Sequence, residues 1–474
     1  MVMGEFTQDT ELLVIGGGPG GYAAAFRAAD LGMDVTMVDP AGRPGGVCLF
    51  RGCIPSKTLL HVAELLRDAR QAKEMGISFS EPEIRLESLR DWKNRVIEKL
   101  ASGLAVVSKR RGVQVLQGRA SFESSQMVRI VGGEVSHVRF KHAVIATGSR
   151  AAGLPGHPFR KGSRVMGSTA ALELGEIPQR LLVIGGGYVG MELGSVYASL
   201  GSRVTVVEWN ERIMMGADGD LVQVLSSNLR ELFQGIHLRT RVVSLEETER
   251  SVEVAFEGNI DPLEQSFDRV LVAVGRLPNT SDLGIEKTGV ALDSRGFIRV
   301  DERMRTADEK IYAVGDVAGG VMLAHKAMHE GKIAVEVIAG RPSAFDFRAV
   351  PAVVYTDPQV AWCGLTEEEA RRTGRPVRVS RFPWSASGRA VSLGFLKGMT
   401  KILFDPETQR VLGMGIVGRE AGEMISEGVL AVEMGALAED LAMSIHPHPT
   451  LSEGEEEAAG AFLGSSTHIL PLKS

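Results

Sequence analysis

A chain of 474 residues is too long for one hydrophobic core, so two to four domains are expected. The formal charge of −6 offers no basic surface for nucleic acid or anionic membrane, and no apolar run nears the roughly 20 residues of a membrane span. Three cysteines in so long a chain fit a reducing, cytoplasmic setting, where a thiol pair is more often catalytic than structural.

The opening, MVMGEFTQDTELLVIGGG, has no basic n-region or apolar h-region before its first strand, so no signal peptide is expected. Residues 11–39, ELLVIGGGPGGYAAAFRAADLGMDVTMVD, then read as strand, glycine turn, helix and strand. Gly16, Gly18 and Gly21 fit G-x-G-x-x-G: a tight turn, room for a pyrophosphate against the backbone, and close helix–strand packing. The helix N-terminus would face the phosphates, and Asp39 falls where a carboxylate accepts ribose hydroxyls.

Next comes GGVCLFRGCIPSK (45–57), with four residues between Cys48 and Cys53 and Lys57 close behind. A zinc site needs about four ligands and no histidine is nearer than His61, while a staple over so short a gap gains little. A redox pair gains from the spacing, because partners that stay close re-form their bond quickly. The helix read from SKTLLHVAELLRDAR would lend its N-terminal dipole to a thiolate, and Lys57 adds positive charge. A dithiol passing two electrons needs an acceptor that nicotinamide also reduces. Flavin is one, and the first βαβ unit could carry it as FAD.

Helical periodicity runs through 58–75 and 86–111, and KHAVIATGSR (141–150) reads as a buried strand ending at Ala146, Thr147 and Gly148. Residues 180–208, RLLVIGGGYVGMELGSVYASLGSRVTVVE, repeat the first unit, with Gly185, Gly187, Gly190 and terminal Glu208. One glycine fingerprint is weak evidence; two complete copies make dinucleotide binding the expectation. DEKIYAVGDVAGG (308–320) is another buried strand, ending at Gly315 and Asp316, which could bind a polyol hydroxyl. Since 141–150 and 308–320 bracket the second unit, one dinucleotide domain is read as split by insertion of the other.

Beyond 348 the pattern alternates like antiparallel strands, in PAVVYTDPQVAWCGLT and TKILFDPETQRVLGMGIVG, and GEMISEGVLAVEMGALAEDLAMSIH follows as helix. Cys363 is expected to be a buried core thiol. SIHPHPTLSEGEEE supplies His446, His448 and Glu453, and an imidazole oriented by a carboxylate is suited to deprotonating a thiol.

With these residues in hand, the chain resembles the FAD-dependent pyridine nucleotide–disulfide oxidoreductases, and among them the dihydrolipoamide dehydrogenase (E3) branch. GGVCLFRGCIPSK, MLAHKAMHEG (322–331), VAVGRLPNT (272–280), VVYTDPQVAWCGLTEEEA (353–370), FPWSASGRA (382–390) and HPHPTLSE (446–453) carry the likeness nearly end to end. It implies an α/β fold: an FAD-binding domain (1–149 and 277–347) split by an NAD-binding domain (150–276), and a C-terminal α+β dimerisation domain (348–474). It implies oxidation of protein-bound dihydrolipoamide through a Cys48–Cys53 disulfide and FAD, with reduction of NAD+ to NADH. Cys48 would be the interchange thiol and Cys53 the flavin-side thiol. His448 would be the base held by Glu453, and His446 structural.

FAD would lie on Gly16, Gly18, Gly21, Asp39, Lys57, Ala146, Thr147, Gly148, Asp316, Met322, Ala324 and His325. The NAD group is Gly185, Gly187, Tyr188, Gly190, Glu192, Glu208, Gly275 and Arg276, with Glu192 also pairing Lys57; no metal is expected. The partners implied are a second copy of the chain and a lipoylated carrier, whether E2 of a 2-oxo acid dehydrogenase complex, a glycine-cleavage H protein or a similar lipoate-binding protein. Phe50 and Arg51 stand where the family has asparagine and a small aliphatic, Asp39 replaces glutamate, and Pro447 replaces alanine. Alternatives are a glutathione-reductase-like enzyme, which would want basic residues where Glu208 stands, and a redox-inactive FAD-binding subunit. The complete set Cys48, Cys53, His448 and Glu453 weighs against the second.

Overall fold

The computed structural model describes residues 7–133 and 135–470. The first six residues, which begin the stretch expected to hold no signal peptide, and the last four lie outside that description.

Strand Thr7–Ile15 (β1), helix Pro19–Asp30 (α1) and strand Val35–Asp39 (β2) come first, then helices Gly46–Arg51 (α2), Cys53–Gln71 (α3) and Leu86–Arg110 (α4). Strands Gln114–Gln117 (β3), Arg119–Ser124 (β4), Met127–Val131 (β5) and His137–Ile145 (β6) follow. β3, β2, β1 and β6 run parallel side by side, and β5 and β4 extend the sheet antiparallel. Ser149–Ala151 (β7), Val165–Met166 (β8) and helix Ser168–Glu173 (α5) lead into the second βαβ unit: Arg180–Ile184 (β9), Tyr188–Ser199 (α6) and Arg203–Val207 (β10). Helix Gly219–Leu232 (α7) and strand Gly235–His237 (β11) continue it. Thr240–Glu247 (β12), Val252–Gly258 (β13) and Glu264–Phe267 (β14) form an antiparallel meander before Arg269–Val272 (β15).

The second sheet, β11-β10-β9-β15-β8, is parallel and repeats the β3-β2-β1-β6 order of the first. Arg276–Pro278 (β16) pairs with β7 where the chain leaves and re-enters the first unit, and Ile311–Ala313 (β17) then lies beside β6. Helix Ala324–Ile338 (α8) closes this part. The remainder holds Ala352–Val354 (β18), Gln359–Gly364 (β19), helix Glu367–Thr373 (α9), Arg378–Pro383 (β20), helix Gly388–Ser392 (α10), Met399–Phe404 (β21) and Val411–Gly418 (β22). Helices Ala421–Met434 (α11), Ala438–Met443 (α12) and Glu453–Leu463 (α13) end it. Its five strands form one antiparallel sheet, β18-β19-β22-β21-β20.

Residues 12–15 at the end of β1 and 181–184 of β9 are unbroken, buried apolar runs because both faces of each parallel sheet are covered there. Helix α3, although it follows β2, buries Leu59 and Leu66 in the core of the second unit beside Met191 and Leu193 of α6. Val354, Val360 and Val417 of the C-terminal sheet enter the same core. The three units therefore share packed side chains at one place, and α3 carries a cysteine to it.

Two expectations change. The helix expected to begin at Ser56 begins at Cys53, and Cys48 sits in the separate helix α2, because Gly52 turns the chain between them. Pro55 is tolerated in the first turn of α3, where its missing N–H would have no intrahelical partner. The helix read through 422–446 is broken at Gly435, whose φ of 65° ends α11 in the left-handed conformation.

Lys401 of β21 is fully buried, its Nζ 2.7 Å from Asp218, 2.8 Å from Asp220 and 3.1 Å from Glu367. It joins α7 of the second unit to the C-terminal sheet. Removing the cation leaves buried Asp218 without its ion partner beside half-buried Asp220 and Glu367, which keep Arg381, so Lys401→Met is expected to cost about 3 kcal/mol in denaturant unfolding. Neutralising Asp218, Asp220 and Glu367 in the same variant should recover most of that loss; an unchanged midpoint in the single variant would contradict the account.

Candidate active site

Cys48 and Cys53 are free, half-buried thiols within hydrogen-bonding reach of each other. Their bond divides them. Accepting from Cys48, with Lys57 assisting, lowers Cys53 to about 7 against the pull of burial and Glu192. Cys48, the donor, is pushed up by that bond, by burial and by the charge on Cys53. One thiol of the reduced pair is thus a thiolate near neutral pH and the other keeps its proton.

Lys57, one turn beyond Cys53, places Nζ 2.9 and 2.8 Å from the two carboxylate oxygens of Glu192 on α6. Glu192 is 3% exposed and also accepts the Tyr355 N–H at 3.0 Å, while Lys57 lies over the Tyr355 ring, 4.6 Å from its centre. Tyr355 has no place among the residues picked out by sequence. A backbone donor and a ring face leave no spacing signal.

The first glycine loop is built on contacts that tolerate no side chain. A Cβ at Gly16 would stand 2.3 Å from the Ala146 carbonyl oxygen, and one at Gly21 1.8 Å from that of Gly16. Gly18 faces only the Cα of Gly46, at 4.0 Å from an added Cβ, so the side of the loop that would meet a phosphate is open. Helix α1 starts there with no side-chain cap, leaving its first N–H groups available. Asp39 accepts from the Gly17 N–H at 2.7 Å and the Ala41 N–H at 2.8 Å, so in this state its carboxylate closes the loop.

Thr147 and Asn279 bind each other's carbonyls, fixing the turn at Gly148. Asp316 accepts from Ser149 and lies 3.7 Å from Arg276. Gly331 of α8 packs on the Gly20 carbonyl of α1, which brings the α8 N-terminus, with Met322 and Ala324, toward the first loop. His325 instead bonds the Pro351 carbonyl at 2.8 Å. The open loop, the uncapped helix and the buried acid suit a dinucleotide such as FAD.

The second unit repeats the device. Glu208 accepts from the Gly186 N–H at 2.6 Å and from Asn210, while Gly187 has open space around it. Gly185, Gly187, Tyr188, Glu208, Gly275 and Arg276 line one cleft of about 500 Å³. Two residues grouped with them by sequence do not. Gly190 lies behind the loop, where a Cβ would meet the Gly185 oxygen at 2.1 Å, and Glu192 points to Lys57.

His448 is exposed and gives Nδ1 to Glu453 at 2.7 Å, its one hydrogen bond among the described residues. Burial opposes it, but the Thr450 N–H and the His448 ring hold Glu453 below the usual carboxylate range. Cys363 is buried, and burial pushes its thiol up to about 12.

Residues 10–331 match the pyridine nucleotide-disulphide oxidoreductase family, and residues 350–459 match its dimerisation domain. The chain belongs to the pyridine nucleotide-disulphide oxidoreductase family. Similar family members include a dihydrolipoyl dehydrogenase of Haemophilus influenzae, 46% identical over 98% of this chain and 97% of its own. Another, from Thermus scotoductus, is 46% identical over 97% and 99%. Among solved structures, LpdA of Mycobacterium tuberculosis superposes with a TM-score of 0.88 at 27% identity, over 96% of this chain and 99% of that one. The HOCl-induced flavoprotein disulfide reductase RclA of Escherichia coli gives 0.84 at 28%, over 96% and 99%.

Lys57 favours the anionic form of Cys53, and its loss would also expose that sulfur to an unpaired Glu192. In Lys57→Met, the pH midpoint for iodoacetamide alkylation of Cys53 in the reduced enzyme should rise from near 7 toward the ordinary thiol value of about 8.5, the Cys48 bond still favouring the thiolate. A midpoint that stays put would remove Lys57 from the account.

Proposed function

We propose that the chain is a dihydrolipoyl dehydrogenase: one dihydrolipoyl dithiol and NAD+ give the lipoyl disulfide, NADH and a proton. The observation that carries this reading is the divided thiol pair beside a lysine paired with a buried glutamate. The names of relatives about 45% identical over almost the whole chain support the substrate class. FAD would be held by the first glycine loop, Asp39, the Ala146–Gly148 turn, Asp316 and Lys57, and when bound it supplies two-electron exchange between a dithiol and a nicotinamide.

In the oxidised enzyme Cys48 and Cys53 share a disulfide. A substrate thiol attacks Cys48 as His448 takes its proton, and Cys53 leaves as the thiolate that Lys57 favours. The second substrate thiol then attacks the mixed disulfide, closing the lipoyl ring, and Cys48 leaves and takes up that thiol's proton. The nicotinamide would lie in the cleft of Gly185, Gly187, Tyr188, Gly275 and Arg276, with Glu208 disfavouring a 2′-phosphate. The electron donor is a lipoylated carrier, and cysteine usage supports a cytoplasmic setting. Among the described residues no helix is long and apolar enough to cross a membrane.

The test is steady-state NADH formation from dihydrolipoamide. Cys48→Ser and Cys53→Ser should each abolish it, His448→Ala should lower kcat roughly 10²–10⁴-fold, and NAD+ should be preferred to NADP+. Undiminished turnover in either serine variant would end the reading.

A further inference from the structure

Two residues beyond Glu453, the same helix carries a second acid of a different kind. Glu455 is fully buried, and neither of its carboxyl oxygens meets a hydrogen-bond donor among the described residues. Its polar neighbour within hydrogen-bonding reach is another carboxyl, Glu427 of α11. Two ionised carboxyls are not stable side by side in a dry place, but one proton between them makes an O–H···O bond.

The surroundings say which acid holds it. Glu427 accepts from His446 Nε2 at 2.9 Å, and that bond keeps it below the usual carboxylate range. Burial, and then Glu427, push Glu455 up to about 9. The neighbouring β19 contributes the Cys363 thiol, which stays neutral, and Glu433 of α11 is bonded to the Arg348 and Ala349 N–H groups. The cations on the strands that pack against α13 are engaged elsewhere: Arg378 over the Phe462 ring, Arg381 and Lys401 with Asp220 and Glu367.

His446 is clamped in turn. Nδ1 lies 2.9 Å from the Ser444 carbonyl and 3.4 Å from Glu456, so both ring nitrogens face acceptors and both donate. The Glu427 bond, against burial, raises its pKa, consistent with an imidazolium.

We propose that Glu455 is a positioning residue: it carries a proton, donates it to Glu427, and through Glu427 and His446 fixes the loop that presents His448. Loss of that proton at alkaline pH adds a second negative charge beside Glu427 and releases the clamp. The inference rests on the reading of His448 as the base.

The experiment compares wild type, Glu455→Gln and Glu455→Leu as holoenzymes. In wild type, kcat for dihydrolipoamide oxidation should fall above pH 9. Glu455→Gln, never charged yet still able to donate, should keep most of the neutral-pH rate and lose that alkaline limb. Glu455→Leu, unable to donate, should lose roughly 10- to 10²-fold in kcat with an unchanged KM for NAD+. An alkaline limb of unchanged midpoint in Glu455→Gln, or a wild-type kcat in Glu455→Leu, would overturn the proposal.

Stability reads the proton independently of turnover. A carboxyl raised from 4.5 to about 9 on folding stabilises at low pH and loses that contribution as pH rises to 9. The gap in denaturation midpoint between Glu455→Gln and wild type should therefore widen from pH 5 to about 9 and then level; a constant gap would overturn the assignment. If wild type makes no NADH from dihydrolipoamide, the functional reading falls, while this gap still decides the proton.

Discussion

The ion pair between half-buried Lys57 and buried Glu192 is the constraint on which the site depends. Its members come from different units, Lys57 from α3 and Glu192 from α6, and the Tyr355 N–H from the C-terminal unit satisfies one carboxylate oxygen. A carboxylate 3% exposed is expensive to hold as an ion unless cation and donors surround it. Those groups are present only when all three units are docked. The same cation acts on Cys53 from one helical turn away, so docking and thiol activation are one event. This explains why α3 buries Leu59 and Leu66 in the second unit's core rather than against its own sheet.

The two nucleotide loops solve one problem with acids of different length. Asp39 reaches the Gly17 N–H and, two residues on, the Ala41 N–H; Glu208 reaches the Gly186 N–H and the backbone and side chain of Asn210. Each acid ties its loop to the end of the second strand and so holds the glycine turn in shape. Ribose hydroxyls would compete with bonds already made, so each acid is both a specificity group and a brace. The longer glutamate sits beside the cleft, where its charge can reach a ligand.

Both βαβ units, the thiol stretch and the His448–Glu453 pair were legible in the sequence because each depends on residues close together in the chain. Fixed spacing records a turn or a helix start directly. The antiparallel meander β12–β14 went unread: β13 alternates cleanly, but β12 and β14 do not, and no chemistry marks them. Tyr355 and Ser149 were missed for a different reason: their partners lie 163 and 167 positions away, at Glu192 and Asp316. Glu192 was grouped with the nicotinamide residues because it follows Gly190 closely, but a helix turns successive residues to different faces. Glu455 was not singled out in SEGEEE, since only packing distinguishes it from the acids beside it.

The proton-handling end of the site has the opposite character to the electron-handling end. Cys53, Lys57 and Glu192 sit among packed units, whereas His448 is 71% exposed and bonds to neither thiol. An imidazole that must meet a substrate sulfur cannot be sealed within its own chain, yet it needs a fixed orientation. Glu453 supplies that orientation from the first turn of α13, and Thr450 N–H holds Glu453. The surrounding surface is not suited to water: Leu430, Met434, Met443 and Ile445 are 62%, 76%, 73% and 98% exposed. Four large apolar side chains on one C-terminal unit, matched to a dimerisation domain, call for a second copy against them. An exposed base that bonds to neither thiol of its own chain, beside half-buried sulfurs, is the arrangement that two copies sharing their sites would require.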